Sequence, residues 1–158
     1  MDGYEVLFGA HHERLLRLAG LLCGDQARAE DAVAEAFART YPRWKRGLVK
    51  EEAAYLRRAV INEVQKGYRG RSRLRASSEP RVPPEIDSTV SEHDRVWRAL
   101  LALPVRQRAV LALRYFDDLS EVQTAEVLGM PIGTVKSTAS RGLAQLRVLL
   151  AEGEHDHA

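Results

Sequence analysis

Apolar side chains recur at helical spacing along two stretches of this chain, and no stretch alternates as a half-buried strand requires. The expected fold is therefore all-α. In the first stretch Tyr4, Leu7, Phe8, His11, Leu15, Leu18 and Leu22 form one stripe over residues 4–23. Gly24-Asp25 should stop that helix and cap the next, since glycine tolerates a helix exit and aspartate accepts from an orphan N–H. Ala29, Ala32, Val33, Ala36, Phe37, Thr40 and Tyr41 share one side of a second helix. Pro42 is expected to end it, by disfavouring helical geometry at Tyr41 and withholding a donor. Glu51-Glu52 open a third helix, where acids suit the positive end, and Leu56, Val60 and Val64 continue it.

Residues 74–91 differ in kind. Pro80, Pro83, Pro84 and several serines, with no helical stripe, mark a flexible linker rather than an element. Beyond it Ser91-Glu92-His93-Asp94 starts a helix with Val96, Trp97, Leu100 and Leu101. Pro104 suits the first turn of the next, which carries Val105, Ala109, Val110, Leu113 and Phe116. Ser120 to Gln123 is a fuller capping box, and Gly129 suits the exit of that short helix. Pro131 opens the last helix, whose buried face is Val135, Ala139, Leu143, Leu146 and Leu150. The reading is two small helical domains, 1–73 and 92–151, joined by the linker 74–91 and followed by a frayed tail, 152–158.

Charge is spread unevenly. The 158 residues carry a net charge of only +2, yet residues 45–75 hold 10 bases against 3 acids. A run of this kind is either a solvated face or a surface for a polyanion, whose neutralised phosphates release counterions. Its single cysteine, Cys23, excludes a disulfide framework or thiolate zinc cluster, and reads as a small buried hydrophobe. No apolar run approaches the roughly 18 residues of a membrane span, and the acidic start MDGYEVLF is unlike a secretory signal. The expected setting is soluble and cytoplasmic, without membrane insertion. No glycine-rich phosphate loop, HExxH or nucleophile elbow is present, so neither an enzyme nor a cofactor is expected. His11 and His12 fall on different helix faces, and no metal site is expected there.

The most specific local pattern is TAEVLGMPIGTVKSTASRG. Ala125 precedes the turn residue Gly129 by four positions, and Val135 follows it by six. A helix-turn-helix needs a small residue where its helices cross, a glycine at the turn and an apolar residue locking the second helix. The outer face of that second helix offers Thr134, Lys136, Ser137, Ser140 and Arg141, short or cationic groups able to approach phosphates and major-groove edges.

Three stretches carry a resemblance: GDQARAEDAVAEAFARTYPRW (24–44), AYLRRAVINEVQKGYRGRSR (54–73) and LPVRQRAVLALRYFDDLSEVQTAEVLGMPIGTVKSTASRGLAQLR (103–147). In this order they resemble the bacterial RNA polymerase sigma factors of the sigma-70 superfamily, in the extracytoplasmic-function (ECF) subfamily and its sigma-E-like style. The resemblance implies that residues 1–73 bind core RNA polymerase and read the melted −10 element, and that residues 92–151 read the duplex −35 element. It implies a polymerase-binding role for Glu30, Asp31 and Glu35 on the second helix. It likens the loop after Trp44, with Lys45, Arg46 and Lys50, to the family's base-capturing loop. Strand contacts are then expected from Arg57, Arg58, Asn62, Tyr68, Arg69, Arg71 and Arg73, whereas Trp44, Tyr55 and Trp97 are read as core packing. Lys66 departs from the family pattern, in which many members carry aspartate four residues after this asparagine. An anti-sigma factor is admitted as a further partner.

The linker length fits that reading. Two elements about two duplex turns apart are separated by roughly 70 Å, and an 18-residue segment spans about 60 Å when extended, before the domain bodies are added. The competing reading is a stand-alone helix-turn-helix regulator, which shares the C-terminal motif but needs no basic third helix beside an acidic second one.

Overall fold

The computed structural model describes residues 3–72 and 92–155. The chain divides into two compact units, Met1–Ala76 and Ser77–Ala158, and every described element is helical. The expected linker and the Ser91 cap lie outside the described residues.

The first unit is a three-helix bundle of α1 (Gly3–Cys23), α2 (Gln26–Lys45) and α3 (Glu52–Ser72), each packed on the other two. Leu7, Leu18 and Leu21 of α1, Val33 and Phe37 of α2, and Leu56, Val60 and Ile61 of α3 are each no more than 2% exposed. The α1–α2 corner is built as its sequence dictates. Gly24 takes a left-handed backbone, φ 68°, and the Asp25 side chain accepts from the N–H groups of Ala27 and Arg28.

Pro42 does not end α2. The helix runs through it to Lys45, and the Arg46 N–H still reaches the Pro42 carbonyl. Tertiary contacts outweigh the missing donor. Trp44 stacks on Tyr41, centroids 6.1 Å apart, and its Nε1 donates to Glu52 Oε1 at 2.6 Å, so the last turn is anchored from α3. Gly47, φ 74°, then turns the chain out of the helix.

The second unit comprises α4 (Glu92–Leu101), α5 (Val105–Leu111), α6 (Glu121–Leu128) and α7 (Ile132–His155). The long α7 is the spine against which the other three pack. Leu103, Val110, Leu113 and Val135 are fully buried. Pro104 precedes α5 as its cap rather than lying in its first turn, with its carbonyl accepting from Arg108. Arg108 is 6% exposed and donates to the carbonyls of Leu101 and Leu103, closing the end of α4. Gly142 lets α7 approach α5, since a Cβ there would stand 3.1 Å from Leu111 Cδ1.

Three further expectations need correction in this unit. The helix read from Val105 to Phe116 stops being α-helical at Leu111 and widens into a π turn, Ala112–Phe116, in which the Asp117 N–H reaches back five residues to Ala112. Val105 is exposed rather than part of the buried stripe, because α5 begins there and its first turn lies at the surface. The expected tail is helical as far as His155, a simple continuation of α7.

Candidate nucleic-acid interface

The C-terminal pair α6–α7 forms the helix-turn-helix that the spacing predicts. Ser120 Oγ accepts from the Gln123 N–H at 3.0 Å, and Gln123 Oε1 accepts from the Ser120 N–H at 2.9 Å, a closed capping box. At the far end Gly129 sits at φ 66°, ψ 37°. Val110, Ala125 and Val135 form the buried seam, with Leu128, Met130 and Ala139 packed round it. A Cβ at Gly129 would meet nothing within 4 Å, so the glycine is required for its backbone and not for space. Gly129→Ala is expected to cost about 1–2 kcal/mol, measured as a lower denaturation midpoint with unchanged transition slope.

Of the residues assigned to −35 contacts, Lys136, Ser137, Ser140 and Arg141 are exposed on α7 and Thr134 is half-buried at its start. Ser137 Oγ donates to the Thr134 carbonyl at 3.2 Å. Lys136 Nζ lies 3.7 Å from Glu121 Oε2 across the two helices. The exposed start of the second helix is thus built mostly from short side chains around one lysine, with Arg141 a turn further on, a shape that a base edge or phosphate can approach closely.

In the first unit, α2 and α3 leave two open grooves. One, of about 430 Å³, is bordered by Arg39 and Thr40 of α2 and by Tyr55, Arg58, Asn62, Gln65 and Lys66 of α3, among others. Two of the residues expected to touch the melted strand, Arg58 and Asn62, meet here. Arg57 is half-buried and does not line it; Arg46 and Lys50 stand exposed on the α2–α3 connection, whereas Lys45, expected in that loop, is exposed on the last turn of α2. Tyr68, Arg69 and Arg71 are on helical backbone, their side chains lying outside the described residues, as does Arg73 altogether. Sequence reasoning missed Arg39, Gln65 and Lys66 as groove residues and took Tyr55 for core, whereas it is half-buried and lines the groove. Of these only Tyr55 carried a signal, an aromatic one turn before Arg58 and Ala59 in a basic helix.

The second groove, about 500 Å³, is bordered by Cys23, Arg28, Asp31 and Glu35 on one side and by Glu63, Val64 and Lys66 on the other. Asp31 and Glu35 therefore share a rim, as their spacing predicts. Glu30 is exposed but turned away from this groove, and accepts from Gln26 Nε2 at 3.3 Å.

A third polar cluster supports the bundle. Glu52 accepts from Trp44 Nε1 at 2.6 Å and lies 3.2 Å from His11 Nε2. These bonds, Trp44's first and His11's second, hold its carboxyl below the ordinary value of 4.5. A carboxyl that is harder to protonate folded than unfolded contributes stability above its unfolded value, and that contribution is lost as pH falls through the lower folded value. The wild-type melting temperature should fall between about pH 5 and pH 3 more steeply than that of Glu52→Gln. Identical acid limbs would remove Glu52 from the account. The effect is modest, because the Glu52 side chain is 40% exposed.

His12, by contrast, stacks on Phe8 with centroids 4.0 Å apart, so the two adjacent histidines point to different partners. Cys23 is buried. Among the described residues no group of His, Cys, Asp and Glu is placed to hold a metal ion, and no helix is long and apolar enough to cross a membrane.

Comparison with known proteins accounts for both units. Residues 7–74 match the family model Sigma-70 region 2, and residues 93–146 match Sigma-70, region 4. The chain is 37% identical over 157 residues to the RNA polymerase sigma-E factor of Streptomyces coelicolor, covering 97% of this chain and 89% of that protein. It is 34% identical over 157 residues to the ECF RNA polymerase sigma factor SigM of Mycobacterium tuberculosis, covering 93% and 76% respectively. Among solved structures, the sigma factor RpoE crystallised with the anti-sigma factor NepR from Bartonella quintana shares the fold, with a TM-score of 0.69 at 24% identity over 93% of this chain and 98% of that one. A three-helix unit matching region 2, followed in the same chain by a helix-turn-helix unit matching region 4, places the protein in the sigma-70 family of RNA polymerase sigma factors, within its extracytoplasmic-function branch.

Proposed function

We propose that this chain binds core RNA polymerase through the Asp31–Glu35 rim of α2, with Glu30 beside it, and directs the enzyme to promoters by reading two separated elements. The observation that carries the reading is the pairing, within one unit, of an acidic α2 rim with a cation-lined groove on α3. Polymerase supplies the chemistry, and this chain supplies address and strand opening without being an enzyme itself. Residues 1–73 act at the −10 element. There Arg58 and Asn62 meet the melted strand in the groove, Lys45 at the end of α2 and Arg46 and Lys50 in the connection after it approach the strand, and Arg57, Tyr68, Arg69, Arg71 and Arg73 extend the basic path. Melted DNA keeps its phosphates and exposes base faces, so cations beside a half-buried tyrosine suit it. Residues 92–151 act at the −35 element, with Thr134, Lys136, Ser137, Ser140 and Arg141 entering the major groove.

The working place is the cytoplasm, where polymerase and promoter are. The fold neighbour RpoE, crystallised with the anti-sigma factor NepR, supports a partner of that kind here. A stand-alone regulator would leave the region 2 match over residues 7–74 without a purpose. Transcription reconstituted from core polymerase, this chain and genomic DNA should give discrete start sites that vanish when the chain is omitted. Specific duplex binding by the chain alone, with no initiation in the presence of core enzyme, would restore the regulator reading.

A further inference from the structure

Between the two grooves of the first unit stands a ridge made by Glu63 and Lys66, which line both. Glu63 is only 13% exposed and is held between two cations. Lys66 Nζ lies 3.2 Å from its Oε1 and Arg39 Nε lies 3.4 Å from the same oxygen. That Arg39 Nε is shared, since Glu35 Oε1 accepts from it at 3.1 Å. A continuous chain of ion pairs, Glu35–Arg39–Glu63–Lys66, thus joins the acidic rim to the cationic groove. Arg39 borders the groove that holds Arg58 and Asn62, and its planar fork of donors suits a phosphate. In the free chain its Nε–H is shared between two carboxylates, which fixes the direction in which the guanidinium points.

We infer that Arg39 is a further strand-contact residue of the −10 site, held back by Glu35 and Glu63 until polymerase takes up Glu35. The inference rests on the proposed role of the Asp31–Glu35 rim. A cation of the polymerase that pairs with Glu35 removes one of the two acceptors of Arg39, and the guanidinium turns to the nearest remaining polyanion, the backbone of the melted strand. Linkage makes the coupling reciprocal: a strand that engages Arg39 leaves Glu35 more available to polymerase. Exposed ion pairs are weak, so the coupling amounts to about two- to fivefold in affinity.

The test uses the full chain and a short fluorescein-labelled single strand of mixed sequence, titrated across a range of salt with and without core polymerase. In the free chain Arg39→Gln leaves the salt slope nearly unchanged, while Glu35→Gln tightens binding about two- to fivefold and steepens the slope by about 0.7, one phosphate contact on a single strand. The double variant Glu35→Gln/Arg39→Gln loses both gains. Glu63→Gln, which releases Arg39 and Lys66 together, tightens binding at least as much. In the holoenzyme, Arg39→Gln lowers the slope by about 0.7. A Glu35→Gln gain that persists undiminished beside Arg39→Gln reports only the removal of a negative charge and overturns the inference, as does a holoenzyme slope indifferent to Arg39→Gln. Start-site mapping with the wild-type holoenzyme is read in parallel. Initiation with an additive cycle defeats the coupling alone, whereas failure to initiate defeats the sigma-factor reading beneath it.

Discussion

The double reversal Asp31→Lys/Glu35→Lys is expected to abolish retention of the chain on core RNA polymerase in a pull-down, with the helical circular-dichroism signal intact. Both carboxylates are exposed, four residues apart on α2, and border the same groove. Neither is buried in the bundle, and the ion pair lost, Glu35 with Arg39, is exposed and therefore weak, so the fold should survive the reversal. Close charge pairs across an interface couple by about 1.5–7 kcal/mol. Even the lower figure, applied twice, gives about 3 kcal/mol, roughly a hundredfold in affinity. Reversal adds repulsion to that loss. Retention equal to wild type would remove the α2 rim from the polymerase interface.

The largest effect on stability is expected from Phe37→Ala. Phe37 is 0% exposed and has Phe8 at 5.2 Å, His12 at 6.3 Å and Tyr4 at 6.4 Å between ring centroids. Truncating a buried phenylalanine costs about 3–5 kcal/mol in lost transfer free energy and residual cavity. A unit of this size has only about 4–11 kcal/mol in total, at roughly 0.05–0.15 kcal/mol per residue. The first unit should therefore unfold substantially near physiological temperature, and polymerase binding should fail with it. The signature is a low-temperature melting transition that wild type lacks. A shift of the midpoint by no more than a degree or two would mean that Phe37 is not the keystone of this core.

Features set by a few neighbouring residues were legible in the sequence. The Ser120–Gln123 box and the Gly129 exit are decided by local backbone chemistry, and Ala125 and Val135 fall on the seam because helical period alone orients them. Pro42 misled because its local penalty is real but smaller than the hold that Trp44 takes on Glu52, eight residues and a loop away in the chain. The π turn at Ala112–Phe116 carries no periodic mark, since one extra residue in a turn leaves the surrounding apolar spacing readable as plain helix. Arg58 and Asn62 could be nominated because they lie in the basic run that the family resemblance assigns to the melted strand. Arg39 could not, because its place beside them depends on how α2 crosses α3. The dual pairing of Glu63 is hidden for the same reason.

Helix α7, Ile132–His155, is about 36 Å long at 1.5 Å per residue. Its first turns carry the side chains proposed to enter the duplex, and near its other end the Leu150 carbonyl accepts from Arg95 of α4. A rod pinned at its heel behaves as a lever. A small tilt introduced by loosening the Arg95 clasp grows along the helix and moves the proposed contact residues nearest its start, Thr134, Lys136 and Ser137, the most. Under the proposed assignment, substitutions at Arg95 that never reach DNA should therefore weaken −35 recognition.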